Sequence, residues 1–326
     1  MVDTQPRQSP IAVGLLCLTA FTACAIRIQS SLAGPLPPSR MAEFWIEPEN
    51  LEQRDLLHGP GGVQKRPNPA EAFEFLAVDA SGASPGFDVR DDSGREWSVK
   101  LGIEAQPEVA VSRLVWAAGF HQPATYYLPT WRLRRNGVTT DQPAGRFRLE
   151  PDGLTSASAW PWHRNPFVGT EPFGGLVVLM AMVNNWDVKT SNNALFEFAA
   201  PVGGAARWFV VKDLGASLGR TGLTGKLAGP FHGTKNRLED FEKEPFITGV
   251  SGDRVMLHYE GAAYVPALPD VVRAAHVRWI TSRLARLSDR QWHHTFEAAG
   301  YSAAHAARYV RRLKAKVAEG QHKIDR

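Results

Sequence analysis

The chain has 326 residues, of which 44% are hydrophobic and 21% are charged. These values exclude a disulfide-stapled mini-protein, a largely disordered chain and a protein with many membrane spans. The net charge of +4 is unevenly spread, because residues 270–326 contain 12 Lys and Arg against 5 Asp and Glu. A basic C-terminal part of this kind is typical of solvated helix surfaces, and we do not expect the chain to bind nucleic acid.

The first 26 residues predict an export signal. An apolar run over residues 11–26 follows a short polar start that contains Arg7, and small residues stand at Ala23 and Ala25. This arrangement is typical of signals removed on export, and 16 residues are short for a membrane-spanning helix. The four residues that end at Cys24 resemble a bacterial lipobox. We therefore expect a periplasmic or extracellular protein, either secreted or attached to the membrane through Cys24, with an uncleaved anchor as the alternative.

The next part of the chain carries strand signals. Residues 27–43 are rich in Pro and Gly and are predicted to be a linker. Three segments of strand-forming residues then alternate with turn residues, at 73–79, 87–90 and 96–101. They predict an antiparallel meander whose last strand carries Lys100. Apolar residues at helical spacing predict a helix over 108–118 that ends at Gly119, and a further strand is expected over 126–133.

The second half contains two motifs in a fixed order. An apolar helix predicted over 175–183 leads into Asp187-Val188-Lys189-Thr190-Ser191-Asn192, in which Asp, Lys and Asn are spaced as in a kinase catalytic loop. Two strands are predicted after it, at 194–199 and 208–212. The second of them ends at Asp213-Leu214-Gly215, at the place where a kinase carries its metal-binding Asp-Phe-Gly.

Phosphoryl transfer requires residues of these types. The charge of the phosphates must be offset by cations, and the acceptor hydroxyl must be aligned and relieved of its proton. Asp187 is predicted to act as the base towards the acceptor, and Lys189 to face the transferring phosphate. Asn192 and Asp213 are predicted to hold Mg²⁺ through oxygen ligands.

The first half supplies complementary groups for a nucleotide. Lys100 is predicted to bind the α- and β-phosphates of ATP. Glu108 is predicted to pair with Lys100 and hold it in position, with Glu104 as the alternative partner. Backbone amides are also predicted to cover the phosphates, from a loop that contains Gly82, Ser84 and Gly86.

Taken together, these motifs resemble atypical kinases of the group that contains HipA-type bacterial kinases, phosphoinositide kinases and secretory-pathway kinases, over residues 71–215. Residues 108–119 are similar to the HipA-type helix that supplies the Lys-pairing Glu. The chain also resembles a group of uncharacterised exported bacterial proteins over residues 44–301, through its K-L-G, N-N-W-D-x-K and K-D-L-G runs. The resemblance implies an α+β, bilobed protein-kinase-like fold. A small antiparallel-sheet N-lobe with an N-terminal extension is expected over 44–133, and a larger, mainly helical C-lobe over 134–326.

The implied function is that of an atypical phosphotransferase that uses ATP and Mg²⁺ and acts on a hydroxyl of a protein, sugar or lipid. An ordinary eukaryotic-type protein kinase is disfavoured, because no G-x-G-x-x-G loop is present, no His-Arg precedes Asp187 and no Ala-Pro-Glu follows Asp213. The first alternative is a catalytically inactive kinase fold that binds an envelope component, since an exported domain meets little free ATP. The second is a serine hydrolase, because Ser84 and Ser217 each stand in a G-x-S-x-G pattern.

Overall fold

Strands and helices alternate irregularly along the chain, which makes the fold α+β. The computed structural model describes residues 27–79, 84–222, 232–259 and 265–324. Within these ranges the strands are β1 (Gln29–Ser30), β2 (Ala72–Asp79), β3 (Gly86–Arg90), β4 (Glu96–Leu101), β5 (Thr125–Leu128), β6 (Trp131–Arg135), β7 (Val138–Gln142), β8 (Gly145–Leu149), β9 (Leu154–Ser158), β10 (Arg164–Asn165), β11 (Asn193–Val202), β12 (Ala205–Val211), β13 (Ile247–Ser251) and β14 (Arg254–Leu257). The helices are α1 (Pro38–Met41), α2 (Ala105–Ala117), α3 (Glu171–Met182), α4 (Leu238–Lys243), α5 (Ala274–Ala285), α6 (Asp289–Glu297) and α7 (Ala303–Ile324).

A mixed seven-stranded sheet has the order β5-β8-β4-β3-β2-β6-β7, in which only the β2–β6 pair is parallel. Alternating side chains of β4 point to opposite faces, as in any strand. Trp97 and Val99 are buried in a core that also contains Phe73 and Phe147. Lys100 therefore lies on the opposite face of the sheet, where it is available to a site.

The predicted meander of three strands is confirmed as β2, β3 and β4. The single strand expected over 126–133 is wrong, because the segment forms β5 and β6. Pro129 stands between them, and proline has no N–H with which to continue a ladder. The sheet also includes β7 and β8, so the lobe boundary expected between residues 133 and 134 falls inside the sheet.

Helix α2 follows β4 directly and begins three residues before the predicted start. Glu104 is its N-terminal flanking residue, and Glu108 lies in the first turn. The helix ends before Gly119, which has a φ of 99°. Glycine is favoured at a position of positive φ after a helix C-terminus, because L-residues with a side chain are strained in that conformation.

Replacing Gly119 with alanine is expected to lower the free energy of unfolding by about 3 kcal/mol. A Cβ atom at Gly119 would lie 2.4 Å from the carbonyl oxygen of Ile46, so the variant combines backbone strain with a steric clash. Gly94→Ala is the matched control, since Gly94 has a φ of 85° and no atom within 4 Å of the added Cβ. The control is expected to lose only about 1 kcal/mol. Urea denaturation compares the two, and equal losses would contradict the clash.

A second, larger core contains buried residues of α2 together with those of the later helices. The helix predicted over 175–183 is confirmed as α3, which begins earlier because the Thr170 side chain accepts a hydrogen bond from the Phe173 amide. Nearly every residue of α3 is buried, as expected for a helix that is apolar on all sides. Gly174 and Gly175 let His276 and Trp279 of α5 pack closely, since an added Cβ would lie 2.2 Å and 2.4 Å from their rings. The strands predicted after the catalytic-loop motif are confirmed as β11 and β12.

The segment predicted as a linker, residues 27–43, contains β1 and α1. Strand β1 pairs in parallel with β10, and Ile28, Leu36 and Met41 pack against the larger core. The predicted export signal over residues 1–26, including Cys24, lies outside the described residues. No helix in the described ranges combines the length and the apolarity needed to cross a membrane.

Candidate active site

A cavity of about 390 Å³ lies where the cationic face of β4 meets the end of β12 and the loop after α3. Its lining includes the predicted site residues Ser84, Gly86, Lys100, Asp187, Lys189, Asn192 and Asp213. Gly82 lies outside the described residues. A larger and more open groove of about 630 Å³ is lined by none of the predicted site residues.

Three carboxylates surround the ammonium group of Lys100. Its Nζ lies 2.9 Å from Glu108 Oε2, 2.9 Å from Asp213 Oδ1 and 3.2 Å from Glu104 Oε2. Burial disfavours the charged ammonium, but Glu108 and Asp213 outweigh burial and raise the pKa of Lys100 above its ordinary value. Lys100 is therefore a permanent cation at physiological pH.

Both glutamates considered as partners of Lys100 thus contact it. They are four residues apart at the start of α2, and this spacing places two side chains on the same face of a helix. Glu108 is almost completely buried behind Lys100, whereas Glu104 lines the cavity. Glu104 also forms an ion pair with Lys235, a second cation of the cavity wall.

Asp213 is the carboxylate that connects the two halves of the site. Burial favours its neutral form, but the charge of Lys100, a hydrogen bond from Lys100 and one from the Gly215 amide lower the pKa of Asp213 to about 2. The amides of Lys212 and Asp213 both donate to the carbonyl oxygen of Asn192, at 2.9 Å and 3.0 Å. These backbone bonds hold the Asp-Leu-Gly motif beside the catalytic-loop motif, although Asn192 and Asp213 are 21 positions apart in the sequence.

The catalytic-loop motif is held by short-range contacts. Lys189 Nζ lies 3.1 Å from Asp187 Oδ2, and Asn192 Nδ2 donates to the Asp187 carbonyl oxygen at 2.7 Å. The side chain of Asn185 accepts a hydrogen bond from the Asp187 amide at 3.2 Å. Behind the loop, buried Lys316 of α7 donates to Asn184 Oδ1 at 2.9 Å. These contacts fix the loop on both sides and thereby fix the position of the Asp187 side chain.

Four cations of the cavity wall were not among the predicted site residues: Arg146, Arg148, Lys212 and Lys235. Arg146 and Arg148 alternate along β8 with buried Phe147, so they share a face. Arg146 Nε lies 2.9 Å and Arg148 Nη1 3.2 Å from Glu108 Oε1. In the sequence, only the alternating Arg-Phe-Arg pattern indicates that Arg146 and Arg148 lie on the same face of a strand.

Neither serine of the G-x-S-x-G patterns lies at a strand-to-helix turn. Ser84 stands between β2 and β3, and Ser217 follows β12 in a segment without a helix. Ser217 is fully buried and has no access to a substrate. Among the described residues no histidine lines the cavity with Ser84, so the geometry lacks the imidazole of a Ser-His pair.

The site is therefore an ion-paired cavity assembled from β4, α2, β8 and the two motifs of the second half. Comparisons of the chain with protein-family models, with curated proteins and with solved structures returned no match. Any assignment of function consequently depends on the geometry of this cavity.

Proposed function

We propose that the chain is an atypical, kinase-like phosphotransferase that uses ATP and Mg²⁺ and transfers a phosphoryl group to a hydroxyl of a protein, sugar or lipid. One observation carries the proposal: Lys100 contacts both Glu108 and Asp213 at the wall of a cavity that Asp187 and Asn192 also line. Phosphoryl transfer needs a fixed cation, a metal-binding carboxylate and a base around one space, and these side chains belong to those classes.

The order of the elements supports a bilobed, kinase-like arrangement. A hairpin of β2 and β3 is followed by the strand with Lys100 and by a helix whose Glu108 pairs with that lysine. The catalytic-loop motif comes after the apolar helix α3, and a β-hairpin then leads to Asp213. This sequence of elements is the one expected from the resemblance to atypical kinases.

Each side chain has a distinct part in the proposed reaction. Lys100, fixed by its carboxylates, offsets the charge of the α- and β-phosphates. Asp187 accepts the proton of the acceptor hydroxyl, and Lys189, 3.1 Å from it, neutralises the transferring phosphoryl group. Ser84 and Gly86 line the cavity, where their backbone amides can donate to phosphate oxygens.

The oxygen ligands at the cavity fit Mg²⁺. Asp213 is ionised because its pKa is about 2. Asn192 Nδ2 donates a hydrogen bond to the Asp187 carbonyl oxygen, which leaves Asn192 Oδ1 to ligate a metal. Among the described residues no group of three or more His, Cys, Asp or Glu is arranged around one metal position. Mg²⁺ needs no such group, since it is usually held by one or two protein oxygens together with phosphates and water. Asn192 and Asp213 would hold the ion, which supplies charge neutralisation to the phosphates.

Incubating the full chain with γ-labelled ATP and Mg²⁺ tests the proposal. Label is expected on the protein itself or on an added hydroxyl acceptor, and Asp213→Asn is expected to lower its incorporation at least about 100-fold. Asp289→Asn is the matched control, because Asp289 is an exposed residue of α6 with no contact to the cavity. If calorimetry detects no binding of MgATP, the proposal fails and the alternative of a binding protein for an envelope component replaces it.

A further inference from the structure

The lining of the cavity is unusual for a site that binds a nucleobase. Of the described residues that line it, none has an apolar or aromatic side chain. Small-molecule sites are usually lined mainly by such side chains, against which a flat ring packs. Six of the lining residues are instead cations: Lys100, Arg146, Arg148, Lys189, Lys212 and Lys235.

Five carboxylates face these six cations, so one positive charge is in excess: Asp79, Glu104, Asp187 and Asp213 line the cavity, and Glu108 lies behind Lys100. Glu108 is shared by three of them, since Lys100, Arg146 and Arg148 all lie within 3.2 Å of its oxygens. Glu104 pairs with both Lys100 and Lys235, Asp213 pairs with Lys100, and Asp187 pairs with Lys189. The charges of Asp213 and Glu108 attract Lys212, but its ammonium forms no direct ion pair with a residue that the structure describes. A local excess of positive charge remains on the wall formed by β8 and the end of β12.

Arg148 and Lys212 concentrate this excess at one place. Arg148 Nη1 lies 3.4 Å from the Lys212 carbonyl oxygen, so the two residues are adjacent on the wall. Arg148 uses only part of its donor fork on Glu108, because a guanidinium carries five N–H groups. Condensed phosphates present many anionic oxygens, for which guanidinium and ammonium groups are the usual protein partners.

We propose that Arg148 and Lys212 form an anion subsite on the inner wall of the cavity, and that the phosphoryl donor is recognised by its chain of condensed phosphates rather than by a nucleobase. This inference rests on the proposed function, because that function identifies the cavity as the active site. The binding of a phosphate chain at Arg148 and Lys212 does not itself require catalysis. The cavity, at about 390 Å³, is near the lower end of the range for ligand sites, about 300–1,000 Å³, and suits a phosphate chain. Both a nucleoside triphosphate and inorganic tripolyphosphate carry that chain.

Calorimetry of the full chain in the presence of Mg²⁺ distinguishes recognition of the phosphate chain from recognition of the nucleobase. The probes are ATP, GTP, inorganic tripolyphosphate and adenosine. The dissociation constants of ATP, GTP and tripolyphosphate are expected to agree within about fivefold, and adenosine is expected not to bind. Measurable binding of adenosine, or a preference of more than fivefold for ATP over tripolyphosphate, overturns the inference and indicates a base-binding slot.

Substitutions at two residues test the subsite itself. Lys212→Gln is expected to weaken tripolyphosphate binding about tenfold, the effect of one charge-assisted hydrogen bond, without a change in melting temperature. Lys65→Gln is the matched control, because Lys65 pairs with exposed Asp152 and does not line the cavity. Arg148→Gln is expected to weaken binding similarly, and Arg148→Lys to restore most of it. Unchanged binding in Lys212→Gln and in a folded Arg148→Gln variant rejects the subsite.

The inference and the proposed function fail in different ways. Tight, Lys212-dependent binding of tripolyphosphate without any phosphoryl transfer rejects the enzyme and keeps the anion subsite. Transfer from ATP together with a strong preference for ATP over tripolyphosphate keeps the enzyme and rejects recognition through the phosphate chain. Absence of binding by all four probes rejects both.

Discussion

Replacing Glu108 with glutamine is expected to lower the free energy of unfolding by about 3–5 kcal/mol. Glu108 is 2% exposed and is the anion shared by Lys100, Arg146 and Arg148. Arg146 is itself only 1% exposed; its guanidinium otherwise donates to Ser98 among the described residues, and Asp213 and Asp79 attract it at longer range. Removal of the Glu108 charge therefore leaves a buried guanidinium without an adjacent counter-ion, which is the costly way to break a buried ion pair.

Urea denaturation at neutral pH measures this loss. Glu74→Gln is the matched control, since Glu74 forms an exposed ion pair with Arg134 on the same sheet, and such pairs contribute about 0–1 kcal/mol. Combining Glu108→Gln with Arg146→Met is expected to recover part of the loss, because the double variant no longer buries that guanidinium. A loss below about 1 kcal/mol in the single variant would show that water reaches the cluster and solvates it.

The elements and motifs that could be predicted from the sequence are those encoded in short stretches of it. Strand-forming residues separated by turn residues identified β2, β3 and β4, and the continuous apolar run identified α3. The spacing of Asp187, Lys189 and Asn192 is local as well, so the motif can be read without knowledge of the fold. Each of these side chains lies at one cavity with Lys100, which is remote from them in sequence.

The remaining wall of the cavity depends on pairing between distant segments. Arg146 reaches the site because β8 pairs with β4 in the register that places it opposite Lys100. No local pattern specifies that register, since it is set by which faces of both strands are buried. Lys235 likewise reaches Glu104 across 131 positions of the chain. Long-range pairing of this kind determined the charge of the cavity, and therefore the class of ligand that we infer.

If the chain is the proposed phosphotransferase, replacing Asp187 with asparagine is expected to lower the rate of phosphoryl transfer by about 10²–10⁴-fold while it leaves MgATP affinity within about twofold. Asparagine has the same shape as aspartate but cannot accept the proton of the acceptor hydroxyl. The hydrogen bonds from Asn192 Nδ2 and to Asn185 Oδ1 persist in the variant, because they involve the backbone of residue 187, whereas the ion pair with Lys189 is lost.

Comparison with Asp213→Asn distinguishes a base from a metal ligand. Asp213 is assigned to the metal and contacts Lys100, so its replacement is expected to weaken MgATP binding as well as transfer. Single-turnover rates at saturating MgATP, combined with calorimetric affinities, separate the two effects, because a base contributes in the transition state and a metal ligand contributes also in the ground state. If Asp187→Asn loses affinity in proportion to rate, Asp187 is a binding residue and the base must be sought elsewhere. A loss confined to rate in Asp187→Asn, beside a loss of both in Asp213→Asn, is the result that phosphoryl transfer at this cavity requires.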